Sequence, residues 1–115
     1  MLVRGDTDCA LIIGADPGAT MPQPAINHLA KIPTIVLDPH VTHTSRLARV
    51  HITTAPAGIS APGTAYRMDE IPLPLRPALE SPYPTDQEVL VRINDAIAKK
   101  PDWMGKRPQM ITTQV

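Results

Sequence analysis

The fold of this chain is decided by residues 8–18, which read Asp-Cys-Ala-Leu-Ile-Ile-Gly-Ala-Asp-Pro-Gly. A short apolar run that stops abruptly at turn-forming residues predicts a strand, and the helical pattern behind it favours a parallel strand buried on both faces. We therefore expect a strand over residues 8–14. The loop that follows it lies at the carboxyl end of the strand, where open α/β sheets bind their ligands.

The residues that follow repeat the alternation of strand and helix. After a loop over residues 15–22, apolar residues at helical spacing predict a helix over residues 23–31. A β-branched run predicts a second strand over residues 34–37, and a third strand is expected over residues 50–53, after a helical turn at residues 45–49. Successive strand, helix and strand form a right-handed crossover, so we expect the strands to be parallel.

The segment between the third strand and the last helix carries weaker signals. Residues 54–63 form a long loop rich in proline and glycine, and long loops in compact domains are often functional. Residues 64–69 and 71–75 have an extended pattern. Because Pro72 and Pro74 cannot donate backbone hydrogen bonds, the second of these segments is predicted to be an edge strand or an open arm.

Thr85 begins the clearest helix signal in the chain, a capping box in which Glu88 follows three residues later. The residues behind it place an apolar stripe at helical spacing: Val89, Leu90, Ile93, Ala96 and Ile97. Two lysines, residues 99–100, suit the carboxyl end of the helix dipole, and Pro101 ends the helix.

The composition is that of a globular protein, with 43% hydrophobic and 19% charged residues among 115. Eleven basic residues balance eleven acidic ones, so the chain has no electrostatic footprint for nucleic acid. No apolar segment approaches the roughly 20 residues that span a bilayer, and the first residues lead into no signal sequence. We expect a cytoplasmic protein with one α/β domain over residues 1–100 and a tail over residues 101–115.

Cys9 is the single cysteine of the chain. One cysteine excludes an internal disulfide and any zinc or iron–sulfur site built from several thiolates of this chain. Because free cysteines are among the most buried residues, we expect Cys9 to be a small buried residue of the first strand and not a reactive thiol.

The predicted sheet is incomplete. Three parallel strands with one or two helices leave both sheet edges unpaired and one face bare, a geometry that parallel sheets almost never show in isolation. The chain is therefore expected to be part of a larger whole or to need partner subunits.

Few residues carry a recognisable chemistry. His40 and His43 form an H-x-x-H pattern, a weak metal signal, and we interpret them as polar loop residues. The sequence has no G-x-G-x-x-G after the first strand, no Walker A loop and no G-x-S-x-G elbow. Asp16 and Asp38, at two strand ends, have two open interpretations: acceptors for the ribose or base of a nucleotide, or helix caps and Asx turns.

The order of these motifs resembles the third domain of molybdopterin-dependent oxidoreductases. That domain carries, in order, a G-x-N/D-P loop, a D-P/x-x-T-x-T-A loop, an A-D-V-V-x-P strand and a G-T segment followed by arginine. The corresponding segments here are Gly14-Ala15-Asp16-Pro17, Asp38-Pro39-His40-Val41-Thr42-His43-Thr44 and Gly63-Thr64-Ala65-Tyr66-Arg67-Met68-Asp69. The last segment, together with Ile-Val-Leu-Asp-Pro-His at residues 35–40, is similar to the family of B-type subunits of formylmethanofuran dehydrogenase, and the resemblance spans residues 8–98.

The resemblance implies a fold and a role. The fold is an α/β domain on a partial parallel three-layer sheet with a C-terminal helix, and the role is a share of the cradle for molybdopterin guanine dinucleotide carrying tungsten or molybdenum. Residues implied at the nucleotide end are Gly14, Asp16, Pro17, Asp38, Thr42 and Thr44, and those implied at the pterin side are Gly63 and Thr64. The implied partners are the other subunits of a complex that interconverts CO2 and formylmethanofuran.

The family's iron–sulfur ligands and its metal-binding cysteine or selenocysteine have no counterpart in this sequence. The chain is therefore expected to hold no catalytic and no metal-ligating residue and not to be catalytic alone. Two departures open an alternative: Ala48-Arg49-Val50-His51-Ile52-Thr53 replaces A-D-V-V-x-P, and Ser60-Ala61-Pro62 replaces a usual acidic position. These losses suit a non-redox structural subunit of the bacterial formyltransferase/hydrolase complex, which contains a subunit of the same lineage.

Overall fold

The computed structural model describes residues 1–99, which form a mixed α/β structure with two sheets. A sheet of three parallel strands is followed by a two-stranded antiparallel sheet and a final helix. The elements are, in order, a 3₁₀ turn Leu2–Arg4, β1 Ala10–Ile13, α1 Pro17–Thr20, α2 Gln23–Leu29, β2 Thr34–Leu37, α3 His43–Leu47, β3 Val50–Ile52, β4 Gly63–Tyr66, β5 Pro72–Leu75 and α4 Asp86–Ala98.

The three predicted strands form one parallel sheet in the order β1-β2-β3, as expected. Leu11 pairs with Ile35, and Ile35 pairs with Val50, so these three side chains form a row across one face. The amide of Gly14 donates to the carbonyl of Leu37 at 2.9 Å and so closes the β1–β2 ladder beyond Ile13. β1 is shorter than the predicted strand over residues 8–14 because pairing begins only at Ala10.

The loop predicted over residues 15–22 was wrong in part, because it contains the helical turn α1. Pro17 stands at its first position, where the missing N–H costs nothing. The amide of Ala19 donates to the carbonyl of Asp16, and that of Met21 donates to the carbonyl of Pro17. This turn carries Gly18 against α3, a tertiary contact that supports a helix too short to be stable alone.

One face of the parallel sheet is covered and the other is largely open. The covered face includes Thr34 and Val36, which are fully buried; α3 contacts β2, and α1 contacts both α2 and α3. On the other face Leu37 is buried, and Ile52 shares a pocket with residues of α4. The remaining apolar residues of that face are exposed, which agrees with the expected bare face and corrects the expectation that β1 is buried on both sides.

The expectation that Cys9 is buried was wrong. Cys9 is exposed, because β1 begins one residue later and is an edge strand of the sheet formed by residues 1–99. An edge strand has no neighbour to cover the residue that leads into it.

The second sheet is a hairpin in which β4 and β5 pair antiparallel. Pro72 and Pro74 lie on β5, which has β4 as its partner among the described strands, so the prediction of an edge strand agrees with the structure. Arg67 and Asp69 form an ion pair in the connecting turn. This hydrogen-bonded ion pair, chiefly through the Arg67 side chain, lowers the pKa of Asp69.

The predicted capping box at the start of α4 is confirmed. The Thr85 hydroxyl accepts the Glu88 amide at 3.2 Å, and the Glu88 carboxylate accepts the Thr85 amide at 2.8 Å. The hydrogen bond from the Thr85 amide to the carboxylate is the largest cause that lowers the pKa of Glu88. Lys99 is the C-terminal cap of the helix, while Lys100, Pro101 and the predicted tail lie outside the described residues. Within residues 1–99, no helix is both long and apolar enough to cross a bilayer.

Candidate functional site at the strand ends

The carboxyl ends of the three parallel strands meet at one edge of the sheet, and the predicted nucleotide-end residues lie there. Gly14, Asp16 and Pro17 follow β1, while Asp38 and the segment 42–44 follow β2. Gly63 and Thr64, predicted for the pterin side, lie on β4 in the other sheet. The structure therefore brings six of the eight predicted residues to one edge and places the other two on the hairpin.

Asp16 joins the loop after β1 to the first turn of α3. Its Oδ1 accepts the Thr44 amide at 2.8 Å and the Thr44 hydroxyl at 2.6 Å. Its Oδ2 accepts the His43 amide at 3.3 Å and lies 3.4 Å from Nδ1 of His43. The hydrogen bond from the Thr44 side chain is the largest cause that lowers the pKa of Asp16 from 3.8 to about 2. A carboxylate at this position also complements the free amides and positive dipole of a helix start.

Thr44 is fully buried and connects three segments of the chain. While its hydroxyl donates to Asp16, the same oxygen accepts the amide of Gly18 at 2.8 Å. A Cβ added to Gly18 would lie 2.9 Å from the Thr44 backbone nitrogen, closer than a side chain tolerates. The close approach of α1 and α3 therefore requires glycine at this position.

Thr42 is the N-terminal cap of α3. Its hydroxyl accepts the Ser45 amide at 3.1 Å, and the Ser45 hydroxyl accepts the Thr42 amide at 2.8 Å. This is a capping box with serine in the position usually held by glutamate or glutamine. The hydroxyls of Thr42 and Thr44 thus both serve to hold α3 in place.

Asp38 is buried at the carboxyl end of β2, with 6% of its surface exposed. Its Oδ1 accepts the amide of His40 at 2.8 Å, an Asx turn of the kind foreseen for this residue. The backbone carbonyl of Asp38 lies 3.1 Å from Nε2 of His51, which ties the β2 loop to β3. Local hydrogen bonds therefore position Asp38 at the strand end.

Gly14 turns the chain out of β1 with a φ of 57°, in the left-handed region that favours glycine. A Cβ built on this residue meets no atom within 4 Å. The backbone at the carboxyl end of β1 therefore borders open space, beside the loop that Asp16 holds against α3.

Sequence reasoning missed Gly18 and Ser45, which hold the site together. Ser45 had a local signal, since Thr42-x-x-Ser45 has the spacing of a capping box. Gly18 had none, because its role depends on Thr44, which lies 26 residues away along the chain. The H-x-x-H pattern brings His43 to Asp16, and no cluster of three or more potential metal ligands occurs within residues 1–99.

Comparison with known proteins points to one kind of enzyme subunit. No family model matches the chain. It is 48% identical over 92 residues to the B-type subunit of the tungsten-containing formylmethanofuran dehydrogenase 2 of Methanocaldococcus jannaschii, and these residues make up 78% of this chain and 21% of that protein. The subunit of the same name from Methanococcus maripaludis is 43% identical over 82 residues, which are 71% of this chain and 19% of that protein.

The chain spans about one fifth of the length of these curated relatives, and it matches a carboxyl-terminal portion of them. The expected resemblance to B-type subunits of formylmethanofuran dehydrogenase is therefore confirmed over the aligned region. The chain is homologous to the carboxyl-terminal portion of the B-type subunit of tungsten-containing formylmethanofuran dehydrogenases.

Proposed function

We propose that this chain serves as the carboxyl-terminal part of a B-type subunit of formylmethanofuran dehydrogenase, in a fold like the third domain of molybdopterin oxidoreductases. In that role it contributes one side of the cradle for molybdopterin guanine dinucleotide. It is not catalytic alone, and it works with the other subunits of a complex that interconverts CO2 and formylmethanofuran in C1 metabolism. The bound tungsten or molybdenum supplies the redox centre.

The observation that carries this proposal is the junction of the two strand-end loops through Asp16 and Thr44. These loops follow adjacent parallel strands, at the edge where open α/β sheets bind ligands. The identity of 48% to a subunit of a tungsten-containing enzyme supports a molybdopterin-type cofactor as the ligand. A rigid junction at this edge is what a site needs to present backbone and carboxylate groups to a nucleotide in a fixed geometry.

The described residues fit such a nucleotide in two ways. The backbone of Gly14 borders open space at the carboxyl end of β1. Asp38 uses Oδ1 to accept the His40 amide, and a carboxylate has further lone pairs that accept N–H or O–H groups of a base or ribose. We assign the nucleotide contacts to Gly14, Pro17 and Asp38.

The other predicted residues have different parts in this proposal. Asp16, Thr42 and Thr44 hold the loops, since their polar groups already bond within the chain. Gly63 and Thr64 are assigned to the pterin side, as the motif order implies.

The test is nucleotide content in the assembled complex. Asp38→Asn keeps an oxygen for the His40 amide but removes the charge, and it places an amide donor beside the donor groups of guanine. We expect the complex with Asp38→Asn to release at least tenfold less guanine nucleotide on acid hydrolysis than the unchanged complex. Asp6→Asn, at an exposed residue of the amino-terminal segment, is the matched control. Equal nucleotide content in both variants, or no oxidised-pterin fluorescence in a well-folded complex, contradicts the proposal.

A second candidate function follows from the departures at β3. Nε2 of the His51 ring lies 3.1 Å from the carbonyl of Asp38, so this departing side chain makes a structural contact within the chain. This contact favours a structural subunit of a formyltransferase/hydrolase complex with no redox chemistry. Elemental analysis decides between the two functions, because stoichiometric tungsten or molybdenum in the purified complex excludes the second.

A further inference from the structure

The parallel sheet has an apolar surface that no element within residues 1–99 covers, which we call the open face: Leu11, Ile13, Ile35 and Val50. Leu11 is 52% exposed, Val50 43%, Ile13 39% and Ile35 38%. The pairing of Leu11 with Ile35 and of Ile35 with Val50 makes this a continuous surface. Parallel sheets are found with both faces covered, because their strands are apolar on both sides. The open face is thus a surface that needs a covering layer.

The outer edge of β1 borders this face and is also unpaired among the described residues. The amides of Ala10 and Gly14 donate toward β2, to the carbonyls of Pro33 and Leu37. Since N–H groups alternate in direction along a strand, the amides of Leu11 and Ile13 point to the outer edge. A groove of about 570 Å³ follows this edge, lined by β1 residues and flanked by the amino-terminal segment and the α1 end.

The topology indicates what kind of structure fits beside β1. The connections from β1 to β2 and from β2 to β3 run in one direction, so right-handed crossovers place their helices on one face. Parallel strands added beyond β1 would be connected in the opposite direction across the sheet. Right-handed crossovers between them would then place their helices on the other face. In a doubly wound sheet, β1 would lie at the point where the strand order reverses.

We infer that the outer edge of β1 and the open face together dock the part of the dehydrogenase subunit that precedes the matched region in the relatives. That partner adds a parallel strand to β1 and lays an amphipathic helix across Leu11, Ile35 and Val50. The relatives supply its length, because the matched region is 21% of the Methanocaldococcus jannaschii subunit and lies toward its carboxyl end. The inference rests on this homology and on the topology, and it does not depend on cofactor binding.

The test uses the Methanocaldococcus jannaschii subunit lacking the 92 residues that this chain matches, produced together with this chain. We expect the two polypeptides to copurify, and we expect hydrogen exchange of the Leu11 and Ile13 amides to slow at least tenfold in the complex. Leu11→Glu is expected to weaken the association at least tenfold. Val91→Glu, which replaces an equally exposed apolar residue on α4, is expected to leave it unchanged.

Ile35→Thr is the second variant, because threonine preserves strand propensity while removing apolar surface. The inference is overturned if the polypeptides do not associate, if Leu11→Glu and Val91→Glu weaken association equally, or if exchange over residues 10–13 is the same with and without the partner. It is also overturned if the chain alone forms a dimer that Ile35→Thr dissociates, because the open face then serves a second copy. Guanine nucleotide content is not read in this experiment, so its outcome is separate from that of the cradle proposal.

Discussion

Two buried threonines provide a sharp test of what holds the strand-end site together. Thr44 and Thr54 are 0% and 1% exposed, so replacing either by valine changes a hydroxyl to a methyl with little change of shape. The Thr44 hydroxyl accepts the Gly18 amide and donates to Asp16. The Thr54 hydroxyl is buried and has no hydrogen-bond partner among the described residues. The same chemical change therefore removes two hydrogen bonds in one case and none in the other.

The expected free energies differ in sign. Thr44→Val leaves the partly buried Gly18 amide without its acceptor, and the loss of a partner costs a fully buried donor about 1–3 kcal/mol, which is an upper range for this amide. The lost bond to the Asp16 carboxylate adds to this cost, so the expected loss of stability is at least about 2 kcal/mol. Thr54→Val removes a polar group that burial has already deprived of water, and the expected effect is neutral or stabilising by about 1 kcal/mol.

The measurement is urea denaturation of the chain and of both variants, followed by circular dichroism. A change of midpoint at constant slope reports stability, while a change of slope would report a different compactness of the unfolded or native state. In thermal melts the Thr44→Val loss corresponds to a Tm lower by about 10 °C. Equal destabilisation by the two variants, or a larger loss in Thr54→Val, would refute the hydrogen-bond account of the junction.

Three further predictions concern the same junction and the last helix. Gly18→Ala forces a Cβ against the α3 backbone and is expected to cost about 1–3 kcal/mol of stability by overpacking, whereas Gly63→Ala, whose Cβ would meet Leu75 at 3.9 Å, is expected to be near neutral in the same denaturation experiment. The pKa of Asp16 is about 2 in the folded chain against an ordinary 3.8, so its stabilisation is present above about pH 4 and is lost as pH falls toward 2. Asp16→Asn should make the Tm less dependent on pH between about 4 and 2, and Asp8→Asn should leave this dependence unchanged. Thr85→Ala removes the cap of α4 and should cost about 1 kcal/mol, measured as a lower urea midpoint.

The elements predicted correctly are those whose signals are local. Thr85 and Glu88 are three residues apart, and their capping box forms as the spacing indicates. The three apolar runs form the three parallel strands because each is bounded by its own turn residues. For Asp38 the sequence left two interpretations open, and the hydrogen bond that its carboxylate accepts from the His40 amide is the Asx turn of one of them.

The errors lie where distant residues decide the outcome. The helical turn α1 depends on Gly18 meeting Thr44, and Asp16 finds its partner 28 residues further along the chain. Neither contact leaves a pattern within a window of sequence. Cys9 was misplaced for a related reason: an apolar run predicts burial only if a neighbouring strand lies beside it, and β1 has its neighbour on one side.

The proposed nucleotide cradle and the proposed docking surface both involve β1: the cradle uses its carboxyl end, and the docking surface uses its outer edge. The loop that carries Gly14 and Asp16 leaves β1 at the strand-end site, while Leu11 and Ile13 lie on the open face. At a strand-order reversal, the ligand crevice is walled by loops from both halves of a sheet. Docking of the second half would therefore supply the missing wall, and binding of nucleotide and partner should favour each other, since any coupling between two sites is reciprocal. If the chain carries one half of the crevice, as proposed, its loops have to be held in place before the ligand binds, and the hydrogen bond between Asp16 and Thr44 joins these two loops within the chain.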